Sequence, residues 1–266
     1  MPQRVIVVTG ANSGIGFGMT RALLELGDRV AALDIASDRL AELRVQHADA
    51  LRFINCDVTI RPQVEMAVDE ILDAWQRIDI LVNNACLALF CAYDRRSLAD
   101  TRREFEVNYF GYLNMIDAVL PHMKARRCGV IHNVSSSVGL SGFPGVSGYA
   151  STKGAIEALS RTLAMELARD GICVNLVHPP LTRTPSSAPL GVPSRFMADP
   201  LRVGTKLARR IGSRASLVTP DALTWLGVVA TRAFPDAMGR FLGDRAARVA
   251  GEQGRVATPP PRGRGN

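Results

Sequence analysis

Eight residues between an apolar run and an amphipathic stretch, Thr9-Gly10-Ala11-Asn12-Ser13-Gly14-Ile15-Gly16, have the composition of an anion-binding turn. Glycine permits a tight turn and lets a pyrophosphate approach the backbone, while the N-terminus of the following helix offers unpaired N–H groups. The candidate contacts are Gly10, Asn12, Ser13, Gly14, Ile15 and Gly16. Asp34 stands 18 positions beyond Gly16. A carboxylate at that distance can accept hydrogen bonds from both hydroxyls of an adenosine ribose, which reads as a dinucleotide site. Against a 2′-phosphate it is a like charge, repelling by about 3 kcal/mol or more at ~5 Å and an effective dielectric of ~20. Nothing basic occupies position 13 or 35, so NAD is expected in preference to NADP, with Arg39 the one nearby residue able to blur the choice.

Further along, Tyr149-Ala150-Ser151-Thr152-Lys153 places a phenol and an ammonium on one face of a helix. A tyrosine of pKa ~10 that acts as acid or base near neutrality needs roughly three units, about 4 kcal/mol, from its site. One ammonium at ~5 Å supplies about 3 kcal/mol, and the positive ring of an oxidised nicotinamide supplies the rest.

The elements that position these residues follow from alternating β-branched runs and amphipathic stretches, the pattern of βαβ units with a parallel sheet buried on both faces. Strands are expected at Arg4 to Val8, Val30 to Leu33, Leu51 to Ile54, Ile78 to Val82, Val130 to Val134 and Ile172 to Val177. Helices are expected from Gly14 to Leu26, after an N-cap at Ser37, from Arg61 to Arg77 with Pro62 in the first turn, over Thr101 to Arg127 interrupted by Pro121, and from Tyr149 to Arg169, ended by Gly171. Six prolines between 179 and 200 make that segment a loop, and a loop of this length is usually a lid. A further helix is expected over Pro220 to Ala233 and a short edge strand at Arg240 to Leu242.

The 266 residues, 47% hydrophobic and 21% charged, fit one α/β domain. We expect that domain over 1–250, with a lid at about 180–214 and a disordered basic tail at 251–266. No run approaches the roughly 18 apolar residues of a membrane span and no signal-peptide pattern opens the chain, so a cytoplasmic protein without a membrane partner is expected. The formal charge of +7 falls entirely in two places: six basic residues against one acidic from Arg195 to Arg214, and three against one from Gly251 to Asn266. The body is neutral, which argues against a nucleic-acid partner. The basic cluster is either a solvated helix face or a contact for an anionic or carrier-linked substrate. Five cysteines, Cys56, Cys86, Cys91, Cys128 and Cys173, form no C-x-x-C pair and read as reduced core thiols, with no metal site.

Together, T-G-x-x-x-G-x-G at 9–16, Asn83-Asn84-Ala85, Asn108 in Val107-Asn108-Tyr109-Phe110-Gly111, Ser135-Ser136-Ser137 and Tyr149 with Lys153 resemble the short-chain dehydrogenase/reductase family, in its order and spacing, over about residues 4 to 184. The resemblance implies an α/β fold, a single doubly wound Rossmann-type parallel sheet with helices on both faces. It implies an NAD(H)-dependent oxidoreductase moving a hydride between nicotinamide and a secondary alcohol or ketone, with Tyr149 as general acid/base and Lys153 lowering its pKa and holding the nicotinamide ribose. The family's serine lies 13 residues before the tyrosine, which selects Ser136 to bind the substrate oxygen, with Ser137 as runner-up. Asn108 would hold a water that links Lys153 to solvent. Asp57 and Val58 would meet the adenine, Asn83, Asn84 and Ala85 the adenosine side, and Pro179 and Thr184 the nicotinamide. A homodimer or homotetramer through the two long helices is usual in the family.

Three departures stand out: Cys86 replaces the glycine of N-N-A-G, Pro180 replaces the glycine of the proline-glycine after strand six, and the aspartate-glycine-glycine ending common in the family is absent. Arg240-Phe241-Leu242-Gly243 looks like the ending of members that act on apolar alcohols, and Val138, Leu140, Phe143 and Val146 either wall an apolar pocket or anchor a turn. Two other readings are an epimerase or dehydratase of the same fold that uses NAD transiently, and a dinucleotide-sensing regulator without turnover; the presence of both Tyr149 and Lys153 speaks against the second.

Overall fold

Along the first strand, β1 (Val5–Thr9), every residue is buried, and its side chains divide between two cores with the period of two that a pleated strand dictates. Ile6 and Val8 join one core with Met19, Val30 and Leu207, while Val5 and Val7 join the other with Val68, Ile116 and Ile131. A computed structural model of the chain describes residues 3–190 and 192–252. The remaining strands are β2 (Arg29–Asp34), β3 (Leu51–Asn55), β4 (Ile80–Asn83), β5 (Gly129–Val134), β6 (Ile172–Val177) and β7 (Leu217–Val218). All pair in parallel, in the order β3-β2-β1-β4-β5-β6-β7. The order reverses between β1 and β4, so the crevice at their carboxyl ends is where a doubly wound sheet binds ligands.

The helices are α1 (Gly14–Glu25), α2 (Ala41–Gln46), α3 (Arg61–Trp75), α4 (Leu98–Phe105), α5 (Gly111–Arg126), α6 (Val138–Ser141), α7 (Ser147–Glu166), α8 (Pro200–Ala208), α9 (Ala222–Ala233) and α10 (Pro235–Glu252). α1 and α8 cover one face of the sheet and α3, α5 and α7 the other. No described helix is long and apolar enough to cross a membrane.

Several expected elements take a different form. The stretch from Thr101 to Arg127 is broken by a π-helical turn at Glu106–Phe110, between α4 and α5, and not by Pro121, which lies inside α5. Pro121 is on the exposed face, where the carbonyl that its missing N–H leaves unpaired costs least. Arg240–Leu242 is not an edge strand: it lies within α10, which Pro235 opens with its fixed φ, and the sheet edge is β7. The proline-rich segment holds two 3₁₀ turns, Pro185–Leu190 and Ser194–Phe196, and its arms meet through a bridge between Thr182 and Ala198.

α8 begins where Asp199 accepts a hydrogen bond from the Arg202 amide and Pro200 takes the first turn. Its buried face is Val203, Gly204, Leu207 and Ala208, so Arg202, Lys206 and Arg209 face solvent, and Lys206 pairs with Asp221 at 2.8 Å. Of the basic tail expected at 251–266, Gly251 and Glu252 end α10 and the rest lies outside the described residues.

Candidate active site

The turn after β1 is shaped by glycine at two positions above all. Gly10 has φ +65°, and a Cβ on Gly16 would lie 2.1 Å from the Gly10 carbonyl oxygen. Ser13 precedes α1 in extended conformation and makes no side-chain cap, so the helix N-terminus is left to an anion. Asn84 braces the crevice from just past β4: its side-chain amide donates to the carbonyls of Thr9 and Gly10, at 2.9 and 3.2 Å, while the Thr9 hydroxyl accepts from the amides of Asn84 and Ala85. A cradle that a methyl group would fill, at a helix N-terminus, fits a pyrophosphate.

Asp34 ends β2 with its carboxylate fixed, accepting from the Asn12 amide at 2.9 Å and the Ala36 amide at 3.2 Å. Arg39 does not offset it; its guanidinium lies over the Phe17 ring at 4.2 Å. The side chain of Asn12 is spent locally, donating to Asp38 and accepting from the Arg39 amide, which leaves its backbone for any cofactor contact. Asp57 likewise accepts from the Thr59 amide and hydroxyl, and Val58 is buried. The Asn83 side chain, expected on the adenosine side, is fully buried and donates to Asn133 of the neighbouring strand at 2.9 Å.

At the ends of β4, β5 and β6 the structure brings Cys86, Ser136, Tyr149 and Lys153 together. Ser136 and Cys86 both flank the Tyr149 phenol. Burial pushes the Tyr149 pKa up, the neighbouring Cys86 pushes it further, and the Ser136 hydroxyl opposes both. Lys153 is 1% exposed; its ammonium donates to the Val134 carbonyl at 2.8 Å and the Tyr112 hydroxyl at 3.3 Å and lies 5.6 Å from the Tyr149 ring centre. Burial lowers the Lys153 pKa. Asn108 sits in the π-helical turn, its side chain donating to the Leu87 carbonyl and the Thr152 hydroxyl and accepting from the Leu87 amide.

Ser137 precedes α6; Thr184 faces the start of α1, where a Cβ on Gly14 would meet its methyl at 2.9 Å. Val138 and Leu140 on α6 and Phe143 beyond it are half-buried, and Val146 is buried. α10 closes over this wall, with Gly239 against the Ser141 carbonyl. The cysteines are not uniformly core thiols: Cys56 is buried, but Cys86 and Cys128 are exposed, Cys86 because it stands in the crevice. Among the described residues no group of three His, Cys, Asp or Glu could hold a metal ion.

The family model described as short chain dehydrogenase matches residues 4–192. The chain is 35% identical over 182 residues to the 3-alpha-(or 20-beta)-hydroxysteroid dehydrogenase of Mycobacterium tuberculosis, a match covering 68% of this chain and 70% of that protein. A short-chain dehydrogenase from Streptomyces avermitilis superposes with a TM-score of 0.76 at 27% identity, covering 96% of this chain and 98% of its own. The 3-ketoacyl-(acyl-carrier-protein) reductase from Brucella melitensis, complexed with NADH, does so with a TM-score of 0.73 at 26% identity, covering 82% and 94%.

Proposed function

The chain belongs to the short-chain dehydrogenase/reductase family, oxidoreductases that act on CH–OH or C=O groups with a nicotinamide dinucleotide, and from that premise we propose an NAD(H)-linked enzyme for a small, largely apolar secondary alcohol or ketone, with Tyr149 as its general acid/base. The observation that carries this reading is the Tyr149 ring 5.6 Å from the ammonium of the buried Lys153, next to the glycine turn and Asp34. Bound in that crevice, a nicotinamide dinucleotide supplies the hydride acceptor or donor. Gly10, Ser13, Gly14, Ile15 and Gly16 would hold its pyrophosphate, Asp34 the adenosine ribose, Asp57, Val58, Asn84 and Ala85 the adenosine side, and Pro179 and Thr184 the nicotinamide side.

The protein's own part is to orient the substrate oxygen and move one proton. Ser136 donates a hydrogen bond to that oxygen, and Tyr149 exchanges a proton with it at Oη. The raised Tyr149 pKa keeps the phenol protonated in the free protein, ready to donate to a carbonyl oxygen during reduction. In the oxidative direction the phenolate must form, and the Lys153 ammonium favours it through its charge. Asn108, tied to Thr152 one residue before Lys153, holds the π-helical turn against α7 beneath this pair. The half-buried apolar wall of Val138, Leu140 and Phe143 supports an apolar substrate.

A panel of secondary alcohols and ketones, followed at the NADH absorbance with NAD and NADP, tests the class. Tyr149→Phe should remove nearly all turnover while NADH still binds; substantial activity in that variant would exclude Tyr149 as the acid/base.

A further inference from the structure

One turn beyond Lys153 on the same face of α7 lies Glu157, a carboxylate 1% exposed that takes no part in the chemistry above. Oε1 lies 2.5 Å from Nε2 of His178, which is fully buried just past the end of β6. Oε2 lies 3.2 Å from Arg232 of α9 and 3.3 Å from Arg161 one turn on. The Ser135 hydroxyl, which donates to the Lys153 carbonyl at 3.4 Å, lies beside the same carboxylate. Burial by itself would raise the Glu157 pKa; the bond to His178, the nearby Ser135 hydroxyl and the charges of His178 and Arg232 outweigh it and hold the carboxylate below its usual range.

Two of these groups are chain neighbours of residues in the site. Ser135 precedes Ser136, which flanks Tyr149. His178 precedes Pro179, where the segment toward Thr184 begins, and its own amide donates to Val218 of β7 at 2.9 Å. Glu157 therefore touches the ends of β5 and β6 from the helix that carries Tyr149 and Lys153. The contact continues a polar seam along that helix, since Ser160 accepts from Asn133 of β5 at 2.9 Å. A buried ion pair is a poor source of stability, because the charges lose hydration that an apolar pair would not need; what such a pair does well is specify one register.

We propose that Glu157 is a positioning residue whose bond to His178, anchored by Arg232, fixes Ser136 and the Pro179 segment against the Tyr149 and Lys153 face of α7. The proposal rests on Tyr149 as the acid/base. A displacement of 1 Å at a reacting centre can cost about a hundredfold in rate, so a buried clasp at this place bears on turnover more than on binding.

Steady-state kinetics of the full chain with a substrate from the alcohol panel, NADH binding by fluorescence and thermal melting test it, with Glu157→Ala, Glu157→Gln, His178→Ala, His178→Gln and Tyr149→Phe. Glu157→Ala and His178→Ala should each lower kcat by about tenfold or more, while the NADH dissociation constant moves by less than about threefold. Glu157→Gln and His178→Gln, which keep an acceptor and a donor in place, should recover most of that loss. The alanine double variant should be no worse than the worse single one, as expected for two halves of one contact. Unchanged kcat in the alanine variants, with only the melting temperature lowered, would overturn the proposal. If Glu157→Ala does not fold, His178→Ala and the two glutamine variants decide the same question. Substantial turnover by Tyr149→Phe refutes the acid/base reading instead, independently of the clasp.

Discussion

Replacing Asp34 by asparagine should relax discrimination against NADP, and the size of the effect follows from what surrounds the carboxylate. Two backbone amides fix it at the end of β2, from Asn12 at 2.9 Å and Ala36 at 3.2 Å, so it cannot swing away from an incoming phosphate. Position 35 offers no cation, being an isoleucine 70% exposed, and Arg39 is stacked on Phe17. A 2′-phosphate centred about 5 Å away would be repelled by about 3 kcal/mol per unit charge at an effective dielectric of ~20. Partial exposure of Asp34 and salt reduce this to about 1.5–3 kcal/mol, or roughly ten- to a hundredfold in specificity. The assay is kcat/KM with NAD and NADP for the wild type and Asp34→Asn. The ratio in favour of NAD should fall by at least about tenfold in the variant, and the wild-type ratio should narrow as ionic strength rises from about 20 to about 300 mM. The lost acceptor at one backbone amide should cost about 1 kcal/mol of stability, which a melting curve separates from the cofactor effect. A ratio unchanged within about twofold, or a wild type that prefers NADP, refutes the reasoning.

Two further outcomes are expected. Cys86 lies beside Tyr149 and raises its pKa, so Cys86→Gly should move the rising limb of the pH profile for alcohol oxidation to lower pH; a limb that stays in place means the thiol does not govern the phenol. His132 is buried in β5, accepts from the Gly212 amide at 2.9 Å, and is held by burial at a pKa of about 4. Its folded pKa lies below the unfolded value of ~6.5, so the unfolded chain binds the extra proton first, and stability is lost as pH falls from about 6.5 to about 4, by on the order of 3 kcal/mol. Melting temperatures between pH 7 and pH 4.5 should fall further in the wild type than in His132→Gln, and equal falls would remove the explanation.

The sheet and its switch point are legible in the sequence because parallel strands covered on both faces are written as nearly unbroken apolar runs, as in Val5–Thr9 and Ile80–Asn83. The order and spacing of the glycine turn, Ser136, Tyr149 and Lys153 are legible for a related reason: each sits at a strand end or on a single helix face, where local sequence fixes its placement. α8 is hidden by the prolines before it, although Asp199-Pro200 with Val203, Gly204, Leu207 and Ala208 is a capped amphipathic pattern. Arg240–Leu242 reads as a strand only when taken alone; the helix around it begins at Pro235. Cys86 reads by residue type as a core thiol, although a side chain in place of glycine at the crevice is the better signal. Glu157 is not legible at all. A glutamate four residues after a lysine reads as an exposed ion pair, and only the packing of β6 and α9 turns it inward onto His178 and Arg232.

The same packing explains the choice of cation at the centre of the site. Of 32 basic residues only Lys124, Lys153 and Lys206 are lysine, so arginine is the chain's default. Lys153 is 1% exposed, and the Val134 carbonyl and Tyr112 hydroxyl take two of the three donors of its ammonium. The third is what the proposed contact with the nicotinamide ribose requires. A guanidinium would bring five donors in a rigid plane to the same space, leaving several unsatisfied at about 1–3 kcal/mol each, and it could not release a proton. Burial already lowers the Lys153 pKa, which an arginine could not exploit. Lysine is therefore the cation whose donors this cavity can satisfy, whereas Arg202 of α8 faces water, where that constraint does not apply.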